Sequence, residues 1–151
     1  TSIGIVTGAV AGLATVTPAA GYVGPMGAIL LGLLGGTVCF FLVQVVKHSW
    51  KIDDSLDVFA VHGVGGILGS LFMPILFSEM FGGGGFAEGA NVSTQLVAQL
   101  VGVVTVAAWT AIMTLIAAWM VSFVIPMRVD EEAEHDGLDL HSHGERGWEL
   151  D

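Results

Sequence analysis

His62 is the residue of this chain best suited to chemistry, because it stands in an apolar run of membrane-spanning length, Val58 to Phe77, where every other side chain is apolar or small. A polar group in hydrocarbon is costly unless it finds a partner or lines a wet cavity, so an ionisable side chain there is a hypothesis about a pathway. Imidazole suits such a role, since it can be neutral at physiological pH and still accept and pass a proton. The plainer alternative is a histidine satisfied by a neighbouring backbone. Axial haem ligation would need a second histidine at comparable depth, and His48, beside Lys47 at the interface, is the only other one near a span. In the last stretch, His135, His141 and His143 lie among carboxylates, types that ligate metals, but their spacing matches no recognised ligand pattern. No metal, cofactor, or paired nucleophile and base is indicated, so the chain does not read as an enzyme.

The elements that position His62 follow from composition. The chain has 151 residues, 54% of them hydrophobic and only 12% charged, with a mean hydropathy of +0.81. That balance belongs to an all-α integral membrane protein. A helix needs roughly 20 residues to cross about 30 Å of hydrocarbon. Apolar segments are expected at about 3–16, cut short at the chain start, and at 26–46, 58–77 and 96–127. The division is a transmembrane region over 1–127 and an acidic tail over 128–151. Asp53, Asp54 and Asp57 head the third span, where carboxylates can cap unpaired backbone N–H groups. Cys39, the only cysteine, lies within an apolar run and reads as a small buried hydrophobe.

The formal charge of −10 describes the tail and not the body, because most acids fall within 130–151. Such a segment suits docking on a protein partner and makes nucleic acid, itself anionic, a poor one. Four crossings put the Lys47 to Leu56 loop and the tail on one side of the membrane. All four basic residues, Lys47, Lys51, Arg128 and Arg146, fall in those two places, so both are expected in the cytoplasm.

Glycines recur every four residues: Gly4, Gly8 and Gly12, then Gly32 and Gly36, then Gly65 and Gly69. Small residues at this spacing let helices approach in lipid, which predicts a tightly packed polytopic bundle able to shelter His62. Neither these glycines nor Gly82 to Gly85 has the context of a phosphate loop, and the latter are expected to form a mobile outer loop.

Thr17-Pro-Ala-Ala-Gly-Tyr-Val23 and, more specifically, Asp53-Asp-Ser-Leu-Asp-Val-Phe-Ala-Val-His-Gly-Val-Gly-Gly66 resemble the ammonium transporter family (Amt/Mep/Rh), in its bacterial or archaeal branch. Gly85-Phe-Ala-Glu-Gly89, Gly137-Leu-Asp139 and Ser142-His-Gly-Glu145 follow the same family in the same order. The resemblance implies the last four of eleven transmembrane helices plus a cytoplasmic tail, in the plasma (inner) membrane. It also implies a homotrimer whose subunits each hold a narrow hydrophobic pore for ammonium or ammonia, with two histidines in contact at its centre. His62 matches the second of that pair, Val58 the apolar wall, Asp57 an acid near the helix start and Thr17 a position near the outer end of a neighbouring helix. The tail residues Gly137, Asp139, His143, Gly144, Glu145 and Trp148 match a region onto which a trimeric PII-type signalling protein can dock. Trp148 stands where relatives often end in a tyrosine. On this reading the chain does not conduct alone. The competing expectation is a non-conducting assembly or nitrogen-sensing subunit that acts through its tail.

Overall fold

The structure, a computed structural model, describes residues 2–145, so Trp148 lies outside the described residues. It is helical throughout: α1 (Ser2–Val16), α2 (Pro25–Gln44), α3 (Gly65–Leu76), α4 (Val92–Ser122) and α5 (Glu131–Asp136), with short 3-10 and π-helical pieces at their ends. Among the described residues, four helical stretches are long and apolar enough to cross a membrane: Ser2–Ala19, Pro25–Ser49, Phe59–Leu76 and Val92–Ser122. Two compact units are present, Thr1–Val106 and Ala107–Asp151.

Each boundary has a local cause. Pro25 supplies the fixed φ of a first helical turn, with Gly24 before it. α4 begins at Val92, ahead of the expected Leu96, because Asn91 and Thr94 cap reciprocally: the Thr94 amide donates to Asn91 Oδ1 and the Asn91 amide to Thr94 Oγ1, each at 3.0 Å. It ends at Ser122, before Pro126, which biases its preceding residue away from helix.

In the first unit, α1, α2 and α3 cross at Thr15, which is 0% exposed. Its hydroxyl is spent on the Ala11 carbonyl at 2.8 Å, so the side chain presents only carbon to its neighbours. Room for it comes from glycine. A Cβ on Gly35 would collide with the Thr15 side chain, one on Gly69 with the Thr15 carbonyl, and one on Gly65 would lie 3.1 Å from Thr15 Oγ1. Two apolar clusters flank the crossing, one of Ala19, Leu31, Met73 and Leu76 and the other of Ala11, Cys39 and Val61. Large apolar side chains such as Leu13, Leu33, Phe40 and Phe41 point outward. A water-soluble domain would not tolerate this, but a bilayer supplies the matching solvent.

The glycine ladders are only partly the contact face. Gly12 backs onto Gly32, where an added Cβ would sit 3.5 Å from the Gly32 carbonyl oxygen, whereas Gly8 and Gly32 each have open space where a Cβ would go. The buried stripe of α2 is Gly27, Leu31, Gly35 and Cys39, one residue round from the expected Gly32 and Gly36. The Gly82–Gly85 run, expected as a mobile loop, is fastened instead. Its four amides donate in turn to the carbonyls of Glu79, Ser78, Tyr22 and Phe77, and a Cβ at Gly24 would strike the Gly82 backbone.

Candidate conduction site

His62 is carried by a π-helical segment, Phe59–Val64, that leads directly into α3. Hydrogen bonds from i to i+5 take more residues per turn than an α-helix, so such a segment shifts the face that each residue presents, and π-turns recur at functional sites. Val61 turns inward at 3% exposure, and its carbonyl accepts from the Cys39 thiol at 4.0 Å. Its neighbour His62 is exposed on the surface of the chain, and among the described residues its ring has no hydrogen-bond partner. Val58, four positions earlier, is 52% exposed, and Gly66, four positions later, has open space beside it. Residues four apart lie on one helix face, so Val58 and His62 form an apolar-then-polar pair on an outward wall.

The start of this segment is held by Asp54. Its two carboxylate oxygens accept from the amides of Val58 at 2.8 Å and Phe59 at 2.9 Å, a charge-assisted double cap. Asp57, also read as a cap from sequence, has a different job. Its own backbone is left-handed, with φ of 57°, and its carboxylate leaves the helix end for Lys47, with Lys47 Nζ 2.7 Å from Asp57 Oδ1. Asp57 and Val61 line a cavity of about 680 Å³ beside α1 and α2, together with Gly4, Ala11, Thr37 and Val43. Asp57 therefore faces that cavity while His62 faces away from it. We expect Asp54→Ala to lower stability by about 1–2 kcal/mol, read as a lower melting temperature in detergent, while Asp53→Ala in the same exposed loop changes it little.

Thr17 is not drawn to His62. It sits in the 3-10 turn after α1, exposed, with its hydroxyl donating to the Leu13 carbonyl at 2.7 Å. The adjoining Pro18 abuts Gly69, seven positions or roughly 10 Å of helix rise past His62. His48, the other histidine near a span, lies in a π-helical end of α2, where its Nδ1 is 3.3 Å from the Gln44 carbonyl oxygen.

In the second unit the tail residues form two short turns. Asp130 caps α5 by accepting from the Ala133 amide at 2.8 Å, and Arg128 binds Glu134. Gly137, at φ of 96°, ends α5 in a conformation that L side chains rarely adopt, and Asp139–His143 follows as a π-helical turn closed by Gly144 at φ of 66°. His143, Gly144 and Glu145 are exposed. Among the described residues, no group of three or more His, Cys, Asp or Glu side chains gathers to hold a metal ion.

Among the described residues, four helical stretches of membrane-spanning length and apolarity, small-residue packing and a histidine on an otherwise apolar span define a polytopic helical membrane protein. Residues 1–148 match the Ammonium Transporter Family. The chain is 44% identical over 145 residues to ammonium transporter Amt1 of Archaeoglobus fulgidus, covering 95% of this chain and 36% of that protein. It is 36% identical over 151 residues to an ammonium transporter of Bacillus subtilis, covering 99% and 37%. A solved structure of a sensor Amt protein superposes with a TM-score of 0.79 at 29% identity, over 92% of this chain and 34% of that one. The chain belongs to the ammonium transporter family, a family of transporters and not of enzymes, and it spans little more than a third of the length of these relatives.

Proposed function

We propose that this chain forms one wall of an ammonium- or ammonia-conducting pore, with His62 as the polar station on that wall and Val58 as part of its apolar lining. The carrying observation is the outward placement of His62 on an apolar span, with Val58 on the same face. A polar ring in such a position needs a facing partner or water, and a second histidine on an opposing wall, from chain outside these 151 residues, would meet that need. Without the opposing wall the chain does not conduct alone.

The same reading gives a homotrimer in the plasma (inner) membrane, with residues 1–127 embedded and 128–151 on the cytoplasmic face. Support for the orientation is the placement of all four basic residues in the Lys47–Leu56 loop and the tail. Asp57, at the Lys47 end on the cavity-facing side of the segment, acts on the path electrostatically and not as lining, and Thr17 lies toward the other end. Gly137, Asp139, His143, Gly144 and Glu145, with Trp148 beyond the described residues, form the surface offered to a PII-type regulator. A second reading, a nitrogen-sensing subunit acting through its tail, is favoured by the likeness to a protein named as a sensor Amt.

Uptake of labelled methylammonium into proteoliposomes holding the complete assembly separates the two. Under the conduction reading His62→Ala lowers the rate at least about tenfold, or ~1.4 kcal/mol in the barrier, with assembly size unchanged. Unaltered uptake in both His62→Ala and His62→Leu rejects that role for His62, and wild-type assemblies without uptake favour the sensor.

A further inference from the structure

We propose that Lys47 is a positioning residue for conduction: its ammonium group, bound to the Asp57 carboxylate and the Ser55 carbonyl, sets how the His62-bearing segment leaves the loop. The inference rests on the conduction reading and extends it to a residue that the reading leaves without a role.

Lys47 lies in the π-helical end of α2, Val45–Ser49, and reaches across the loop, 2.7 Å from Asp57 Oδ1 and 3.4 Å from the Ser55 carbonyl oxygen. The pair is partly withdrawn from water, with side-chain exposures of 33% and 18%, so it is screened less than a surface ion pair. Asp57 Oδ1 is itself buried, and the Lys47 ammonium is the group that meets it. Removing that ammonium leaves a carboxylate oxygen buried without compensation, a state that a loop escapes by turning the group toward water.

Such a turn would reach His62 through the backbone. Asp57 holds a left-handed conformation that few side chains favour, although aspartate accepts it better than most. Its amide donates to the Asp54 carbonyl at 3.1 Å and its carbonyl accepts from the Val61 amide at 2.8 Å, one residue before His62. Rotating the Asp57 peptide therefore rotates the first turn of the segment. Asp54 caps this turn from within the loop, and the Trp50 ring packs on Phe59 with centroids 6.5 Å apart, but neither is an ion pair that reaches Asp57 from α2. The Lys47 ammonium is the ionic tie from α2 to the residue where the backbone reverses.

The test uses methylammonium uptake by the complete assembly in proteoliposomes, measured over a range of substrate concentrations. Lys47→Gln is expected to lower the maximal rate about tenfold while half-saturation stays within about twofold, because the conducting step is disturbed and not recruitment. Lys47→Arg, which keeps the charge and reach, should retain most of the rate, and exchanging the partners as Lys47→Asp with Asp57→Lys should recover part of what Lys47→Gln loses. Asp57→Asn, which tolerates the left-handed backbone, should lose as much as Lys47→Gln, and the double neutral variant no more than either. A Lys47→Gln assembly at wild-type rate, beside a His62→Ala assembly that is slow, overturns the inference and leaves the conduction reading standing. A change confined to half-saturation overturns it in favour of cation recruitment. If Lys47→Gln does not assemble, the exchange variant decides, and an exchange that assembles without regaining rate overturns the proposal. Absence of uptake in the wild type removes both.

Discussion

Gly69→Ala should disrupt the bundle, although it adds a single methyl group. The new carbon would fall on the Thr15 carbonyl, 3.0 Å from the Thr15 carbonyl carbon and 3.2 Å from Pro18 Cδ. These neighbours are α1 backbone and a proline ring, so no flexible side chain can give way, and α1 and α3 must move apart. Overpacking commonly costs about 1–3 kcal/mol, and a backbone-on-backbone clash belongs at or above the upper end. Separation also opens the Thr15 crossing, where Gly35 of α2 meets the same residue, so the three helices lose their contact together. In lipid there is no hydrophobic drive to close the gap again, because close packing of small residues is itself what holds the helices together. Thermal unfolding of the detergent-solubilised assembly should show a fall of several degrees for Gly69→Ala and little change for Gly66→Ala on the same helix, where the added Cβ meets nothing within 4 Å. Equal melting temperatures for the two would contradict the crossing described here.

The number and type of the spans were legible because apolar run length alone sets them, and the exposed Leu, Ile, Val and Phe on every described span agree with that origin. Glycine spacing announced close packing and found Gly65 and Gly69, but it chose the wrong face of α2. The stripe that is buried there alternates glycine with Leu31 and Cys39, so a search for paired glycines passes over it. Thr15 gave no signal, being one of two threonines in an apolar helix, and only its burial against Gly35 and Gly69 shows what the glycines are for. Three aspartates at a helix head read alike as caps. The division of labour between Asp54, which caps, and Asp57, which binds Lys47, depends on the left-handed turn at Asp57, and composition does not encode that turn. The π-helical segments were invisible for the same reason. An apolar run has the same composition whether its bonds close at four residues or five, yet that choice turns Val61 inward and His62 outward.

A carboxylate at Val58 should impair conduction severely if this face lines the path. Val58 lies one turn before His62 on the outward wall and is 52% exposed, so a new side chain there meets no steric obstacle within the chain. What changes is electrostatic. A cation 4 Å from an ionised carboxylate gains about 4 kcal/mol at an effective dielectric of 20, enough to lengthen its dwell nearly a thousandfold. Fast passage requires sites weak enough to leave, so Val58→Asp should bind methylammonium more tightly while its maximal uptake falls by about a hundredfold or more. Val58→Ile, which keeps the wall apolar, should remain near the wild-type rate, and Val58→Asn tests whether polarity without charge is sufficient. The direction separates the two faces of the segment: Asp57 already places a carboxylate at its cavity-facing side with Lys47 neutralising it, whereas no lysine or arginine follows Val58 before Arg128. A Val58→Asp assembly that carries methylammonium at the wild-type rate would place the pore on another face of the bundle.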